Sequence, residues 1–343
     1  SILNKEEILL TQRSGKVYKL NIFKKKLFEI TGAPEVFNSG QGGLLDIEIE
    51  QKNKRIKVYL CFSKKVNKSQ SATAINSYDF INDKLKNKKS LFVSNKTSSS
   101  SRHFGCRLAI KNDHIYATIG DRGSRNTAQN FKNHSGSVVK LLKNGTYFDN
   151  KAFKSSLPEI YSAGHRNPQG LYMNNQINKL FSTEHGPDGG DEINVIDLSI
   201  TNATPNYGWP ISSYGDHYHQ EKDDSRLDLS PLEKSHKKKG FIEPIKYFVP
   251  SVGISEITEI PKKFTNSNNL QFIVGTMGTA KKIKDGMLSL YFFEYDNSNN
   301  KIKNEKLIPI KSRVRDIKYL SKHNSVVMFL ETNSTLGILK QKN

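Results

Sequence analysis

The chain has 343 residues, with 53 Lys and Arg against 33 Asp and Glu, giving a formal net charge of +20. Its apolar runs are short, Val326 to Leu330 being typical, and mean hydropathy is −0.61, so nothing approaches the ~18 apolar residues that a membrane-inserted helix needs. The basic residues are scattered in separate segments (Lys24 to Lys26, Lys64-Lys65, Lys88-Lys89, Lys237 to Lys239) and no recognition helix, zinc knuckle or aromatic-basic motif accompanies them. That argues against a nucleic-acid partner and for solvated surface, with a polyanion-binding face as the alternative reading.

From the N-terminus onward, short runs rich in β-branched and aromatic residues recur between Gly, Asn, Asp and Lys turns, and helical periodicity is almost absent. The pattern predicts an all-β chain. Six runs share one form, an apolar strand ending in a small or polar pair: Ile8 to Thr11, Tyr59 to Phe62, Tyr116 to Asp121, Leu180 to Glu184, Phe272 to Thr276, and Met328 to Thr332. Counted at Thr11, Phe62, Ile119, Thr183, Gly275 and Glu331, they stand 51, 57, 64, 92 and 56 residues apart. A near-constant period in an all-β chain marks a radial repeat, and about 57 residues hold a four-stranded blade with its loops. The prediction is one six-bladed β-propeller domain over residues 1–343. The long step contains a blade insertion at about 197–240, too polar to build a core of its own. Its end, His236 to Gly240, reads as a mobile lysine-rich tract.

Cys61 and Cys106 each lie in an apolar strand-like run. They permit one internal disulfide, but small buried thiols are the commoner outcome in such runs, so they do not fix the redox compartment. The chain opens at Ser1-Ile2-Leu3 inside what reads as mature sequence, without a signal peptide.

Chemistry is concentrated in three blocks: Gly164-His165-Arg166-Asn167-Pro168-Gln169-Gly170-Leu171, then Glu184 to Asn194 with its Gly186-Pro187-Asp188-Gly189-Gly190 core, then Asn206-Tyr207-Gly208-Trp209-Pro210. Loops so dense in polar function are expected where a rigid scaffold presents a site. An Arg framed by glycines, as Arg166 is, suits a carboxylate or an oxygen on which negative charge develops. The glycine-rich turn around Glu184 to Asn194 suits a hard cation held by carbonyls and a carboxylate. His165 and His185 lack zinc spacing with a third ligand. Arg313 and Arg315 alternate, so they share one face of an extended strand, an arrangement that calls for an anion between or beyond them.

Together these blocks closely resemble the soluble quinoprotein sugar dehydrogenases (glucose/sorbosone dehydrogenase-like, including aldose sugar dehydrogenases), which are six-bladed propellers using pyrroloquinoline quinone (PQQ) and calcium. The resemblance covers nearly the whole chain, including Thr11 to Lys16 and Gly40-Gln41-Gly42-Gly43. It implies that His103, in Arg102-His103-Phe104-Gly105-Cys106-Arg107, is the general base where the family has His-Phe-Gly-Ser-Arg. A proton acceptor near neutral pKa is what oxidation of a sugar hydroxyl needs. It further implies that Arg166 acts in catalysis, and that Gln41, Arg166, Asn167, Gln169, Ser251, Arg313, Arg315 and Glu331 line the PQQ pocket. The carbonyls of Gly186 and Pro187 would hold the calcium that binds PQQ, and Glu192 with the Tyr207 carbonyl a second, structural calcium.

The chain departs from the family in several places, with Glu331 standing where many members have Asp. Arg102 stands where some members have Asp. Gly278 replaces the usual pocket lysine, with Lys281 as the nearest substitute, and Val252-Gly253-Ile254-Ser255 replaces an Ala-Pro-Ser turn. The strand that family members carry ahead of Ile8 looks partly missing, which leaves the closing blade short or closed differently. The function implied is PQQ- and calcium-dependent oxidation of an aldose to its lactone, with electrons passed on to an unidentified acceptor. The implied setting is the periplasm or outside the cell, as a monomer or homodimer. The competing readings are a calcium-dependent propeller hydrolase of lactonase type and a non-catalytic propeller that binds glycan or protein.

Overall fold

The computed structural model describes residues 1–147, 156–200, 202–218, 230–262, 267–278 and 286–340. Among them the chain is all-β, with 3₁₀ turns as its helical segments. It forms six consecutive antiparallel sheets. Blade 1 is β1 (Glu7–Gln12), β2 (Lys16–Asn21) and β3 (Lys26–Ile30). Blade 2 is β4 (Leu44–Lys52), β5 (Arg55–Lys65), β6 (Ser71–Ile81) and β7 (Lys84–Val93). Blade 3 is β8 (Gly105–Lys111), β9 (His114–Ile119), β10 (Ser137–Leu142) and β11 (Ile160–Ala163). Blade 4 is β12 (Pro168–Asn174), β13 (Lys179–Glu184), β14 (Asp191–Asp197) and β15 (Lys246–Phe248). Blade 5 is β16 (Ile254–Ile260), β17 (Leu270–Thr276), β18 (Ser289–Asp296) and β19 (Lys301–Pro309). Blade 6 is β20 (Val314–Leu320), β21 (Ser325–Leu330) and β22 (Thr335–Lys340). The contacts divide into two compact units of three blades each, Ser1–Ala163 with Asn202–Thr204, and Gly164–Thr201 with Pro205–Asn343.

Continuous apolar runs rather than alternating ones make these strands because a middle blade is buried on both faces. In β5, Val58, Leu60 and Phe62 pack against blade 1, while Tyr59 and Cys61 pack against blade 3. The same split recurs in the other unit. Phe272 and Val274 of β17 join the core with blade 4, and Ile273 joins the core with blade 6. The period of two thus sends successive side chains into different inter-blade cores.

This alternation also brings the two cysteines together. Rather than two separate thiols, Cys61 and Cys106 form a disulfide with a Cα–Cα distance of 5.5 Å, joining β5 to β8 within the first unit. Cys61 is on the blade-3 side of its strand, and the irregular start of β8 brings Cys106 opposite it.

The first strand of each of blades 2 to 6 carries a register shift near its beginning, between Leu44 and Asp46, Gly105 and Leu108, Pro168 and Gly170, Ile254 and Ile257, and Val314 and Asp316. Bulges redirect side chains and gather beside functional sites. Gln169 and Arg315 are the extra residues of two of them.

The insertion falls between β14 and β15, and residues 201 and 219–229 within it lie outside the described set. Its lysine-rich end is an ordered turn rather than a mobile tract. Lys237–Lys239 form a 3₁₀ turn closed by Gly240, pinned by His236, which is buried at 1% exposure.

Candidate functional site

In the first unit, the chemistry centres on His103. Its backbone is left-handed at φ 51°, a conformation that non-glycine residues adopt where their surroundings hold them. Three groups do so. Gln41 Oε1 accepts from the His103 amide at 2.7 Å, and the Gln41 amide donates to the Ser101 carbonyl at 2.7 Å. Gly120 allows the loop to lie flat on β9, because a Cβ there would stand 2.1 Å from the His103 carbonyl oxygen. Arg122 completes the support. It is buried, donates to the carbonyls of Arg102 and Ser100 and to the Ser71 hydroxyl, and its guanidinium lies 3.6 Å from the Phe104 ring centre. Burial pushes its pKa down to about 10, which leaves it charged at neutral pH.

The imidazole of His103 is 13% exposed, and its Nδ1 lies 2.7 Å from Oδ1 of Asp121, a carboxylate 1% exposed. The same oxygen accepts the Gly123 amide at 2.7 Å. A buried carboxylate at Nδ1 fixes the tautomer with its proton on Nδ1 and its lone pair on Nε2, and it stabilises the imidazolium that forms on proton transfer. Arg102 is exposed and contributes its carbonyl to Arg122, so the orienting acid is supplied from the end of β9 rather than from position 102. Asp121 and Arg122 were not among the expected site residues. The signal was the Gly120-Asp121-Arg122-Gly123 turn that directly follows an apolar strand.

In the second unit, the three sequence blocks are packed onto one another. Trp209 donates its amide to the Gly164 carbonyl at 2.9 Å, His165 stacks on Tyr207 at 4.7 Å, and the Arg166 guanidinium lies 5.3 Å from the Trp209 ring centre. Arg166 donates further to the His185 carbonyl and the Tyr218 hydroxyl, each at 3.1 Å. Asn167 is buried and takes the Gln169 amide at 3.1 Å. The result is a guanidinium fixed in direction on a residue that is 6% exposed as a whole.

Beside it, Arg166, Glu184, Gly186, Glu192, Tyr207 and His236 help to line a cavity of about 10 Å³, room for about one water or small ion. Glu184 and Glu192 are both buried, and Asn194 Nδ2 bridges them at 3.4 and 3.2 Å. Burial raises the Glu192 carboxyl above the ordinary carboxylate range, opposed by its hydrogen bond with His236 Nε2 at 3.2 Å. The Asn194 side-chain oxygen has no hydrogen-bond partner among the described atoms. Among the described residues no three His, Cys, Asp or Glu side chains form a metal cage. The donor set here, two carboxylates with an unmatched amide oxygen and nearby carbonyls, fits a hard cation.

Asp191 was also missed by sequence reasoning, and it sets the Gly186–Gly190 turn. It accepts the amides of Gly186, Val252, Gly253 and Ile254 and the hydroxyl of Ser251, at 2.7 to 3.1 Å. Ser251, expected in the cofactor pocket, therefore directs its proton to Asp191. A glycine-rich loop ending in Asp at the start of a strand was the available signal.

The anion required by the paired arginines lies within the chain. Glu331 Oε2 accepts Nε and NH2 of Arg315 at 2.8 and 2.6 Å and lies 3.7 Å from Nε of Arg313. Arg313 also donates to the Met277 and Gly278 carbonyls at 3.0 and 3.3 Å. Gly278 is left-handed at φ 70° with Met287 Cβ 3.2 Å from where its own Cβ would be, so a lysine there would be strained, and the cation at this turn is Arg313. Lys281 lies outside the described residues.

Residues 1–340 match the model of the glucose/sorbosone dehydrogenase family. The aldose sugar dehydrogenase YliI of Escherichia coli is 31% identical over 258 residues, covering 72% of this chain and 66% of its own length. The quinoprotein glucose dehydrogenase B of Acinetobacter calcoaceticus is 30% identical over 241 residues, covering 61% of this chain and 49% of its own length. The chain thus spans between about half and two thirds of these two curated relatives. A crystal structure of a glucose dehydrogenase aligns with a TM-score of 0.83 and 26% identity, over 100% of this chain and 95% of the other. Six blade sheets, a match along nearly the full chain and this structural likeness have one explanation: the chain is a β-propeller oxidoreductase belonging to the glucose/sorbosone dehydrogenase family.

Proposed function

We propose that the protein oxidises the C1 hydroxyl of an aldose to its lactone, with PQQ and calcium as cofactors. The observation that carries the reading is the His103–Asp121 pair at 2.7 Å, because a tautomer-locked imidazole is the group that hydroxyl oxidation requires of the protein. When bound, PQQ supplies the quinone that accepts hydride from the sugar. His103 takes the hydroxyl proton at Nε2, and Asp121 holds the Nδ1 proton and offsets the charge that develops. Arg166, fixed by the His185 carbonyl, Tyr218 and Trp209, presents a guanidinium for an anionic oxygen. The Gly186 and Pro187 carbonyls would hold the calcium that accompanies PQQ, and Glu192 with the Tyr207 carbonyl a structural one. A disulfide between β5 and β8 supports a periplasmic or extracellular setting, since such bonds persist in oxidising compartments.

Titration of the apo-protein with PQQ, followed by absorbance, tests the cofactor set. Binding is expected with calcium present and lost in excess chelator. Equally tight binding in chelator would remove calcium from the proposal.

The arginine pair makes a second test. Arg315→Ala should weaken PQQ binding about tenfold, the low end of the 1.5–3 kcal/mol range for a charge-assisted hydrogen bond, because Glu331 already screens this guanidinium. Glu331→Gln should tighten binding or leave it unchanged. Weaker binding in Glu331→Gln would mean that the carboxylate itself contacts the cofactor.

A further inference from the structure

The first strands of blades 4, 5 and 6, which begin at the bulges beside the residues described above, leave a second cavity at their other ends. It has a volume of about 340 Å³ and is lined by residues of β12 and β16, the turns that follow these two strands, and Tyr319 of β20. Along β12 and β20 its nearest lining residues, Tyr172 and Tyr319, stand three and four residues from the bulge residues Gln169 and Arg315, roughly 10–13 Å along the strand. The volume falls within the ~300–1,000 Å³ of small-molecule sites.

The lining is mixed in a specific way. Met173, Ile260 and Pro261 give apolar surface, and the rings of Tyr172 and Tyr319 give aromatic surface. Tyr172 is locked edge-on against Phe272 at 5.9 Å, and the Tyr319 hydroxyl is directed away to Asn324 at 2.8 Å, so both contribute their rings. A single carboxylate, Glu259, lies among them, accepting Asn174 Nδ2 at 2.6 Å and the Tyr172 hydroxyl. The exposed amides of Asn175 and Gln176 complete the polar part.

We infer that this cavity is a second ligand site, separate from the pocket beside Arg166, for a neutral polyhydroxylated molecule of mono- or disaccharide size. Ring C–H faces pack on tyrosine, and hydroxyls that both donate and accept match a carboxylate together with free amides. An anion would meet Glu259 in the cavity wall. A metal cation would have to displace the two donors that this carboxylate already holds, and no second carboxylate is present in the lining to help.

Calorimetric titration of the full chain with D-glucose and with maltose, in the absence of quinone and calcium, tests the inference independently of the proposed reaction. Saturable binding of at least one sugar is expected. Tyr319→Ala should weaken it about tenfold, the loss of one aromatic contact. Gln176→Trp, at an exposed turn position that does not load the fold, should block it by filling the mouth. Gln176→Trp should keep the wild-type melting temperature, whereas Tyr319→Ala, whose ring also packs on the core of blades 5 and 6 and whose hydroxyl holds Asn324, should melt lower and is titrated well below its own midpoint. Where dehydrogenase turnover exists, both should keep its kcat at saturating aldose. No saturable binding of either sugar, binding unchanged in Gln176→Trp, or binding abolished by Arg166→Ala would each overturn the assignment, the last by placing the sugar at the other site.

Discussion

His103→Ala should lower kcat for aldose oxidation by about 10²–10⁴-fold while PQQ absorbance and calcium binding stay close to wild type, because general-base catalysis contributes on that scale. The structure adds a companion expectation. Asp121→Asn keeps the shape of the pair but lets an amide donate to Nδ1, which favours the wrong tautomer and turns the Nε2 lone pair into an N–H. Its kcat should therefore fall towards that of His103→Ala, with KM little changed. The double variant should be no worse than His103→Ala alone, since the two residues act as one unit. Additive losses would show that Asp121 acts by a route other than the imidazole. Full activity of His103→Ala on any sugar that the wild type oxidises would sink the assignment of the base.

What was legible in the sequence, and what was not, divides along a physical line. Strand positions announce themselves, because a blade covered on both sides needs runs such as Val58 to Phe62, and the apolar part of each of the six recurring runs lies on a strand, β1, β5, β9, β13, β17 and β21, with the polar pairs Gly120-Asp121 and Glu331-Thr332 just beyond β9 and β21. In the four-stranded blades that strand is the second one. Motif-dense loops announced themselves as well, and the Gly164 to Arg166 and Asn206 to Trp209 blocks, some forty residues apart, prove to be packed together. Contacts between blades left no such trace. Register shifts at the starts of β4, β8, β12, β16 and β20 depend on how neighbouring sheets meet, so the placement of Gln169 and Arg315 was not readable. Asp121 is 18 residues beyond His103, and only the folding of β9 back along β8 makes them partners. Glu331 and Arg315 are likewise joined by the pairing of β20 with β21. The expectation that Arg313 and Arg315 share a strand face rested on regular alternation, which the bulge at Arg315 interrupts, and it did not show that the chain carries a carboxylate, Glu331, against both.

Loss of the inter-blade disulfide should be the largest single effect on stability. Cys61 and Cys106 were readable only as two apolar-run cysteines, yet both are fully buried and joined across 45 residues of sequence. Closing a loop of that length removes chain entropy from the unfolded state worth about 4 kcal/mol at 25 °C on the loop-entropy estimate. The Cys61→Ala/Cys106→Ala double variant should unfold at lower denaturant by a corresponding amount, and its melting temperature should fall by about 5 °C, given the unfolding entropy of a chain this size. Alanine at both positions also removes two small buried side chains from the core shared by blades 2 and 3, so Cys61→Ser with Cys106→Ser serves as the polar control and should be less stable still, because it buries two hydroxyls there. The effect extends to function. Cys106 directly follows Gly105 in the segment that carries His103, at a left-handed φ of 72°, and the bond ties that segment to β5. The double-alanine variant, assayed well below its melting temperature, should therefore lose kcat more than KM. Its thermal midpoint is the decisive reading: an unchanged midpoint under non-reducing conditions, with wild type confirmed free of thiols, would mean that the packing of β5 against β8 holds the two blades without the bond.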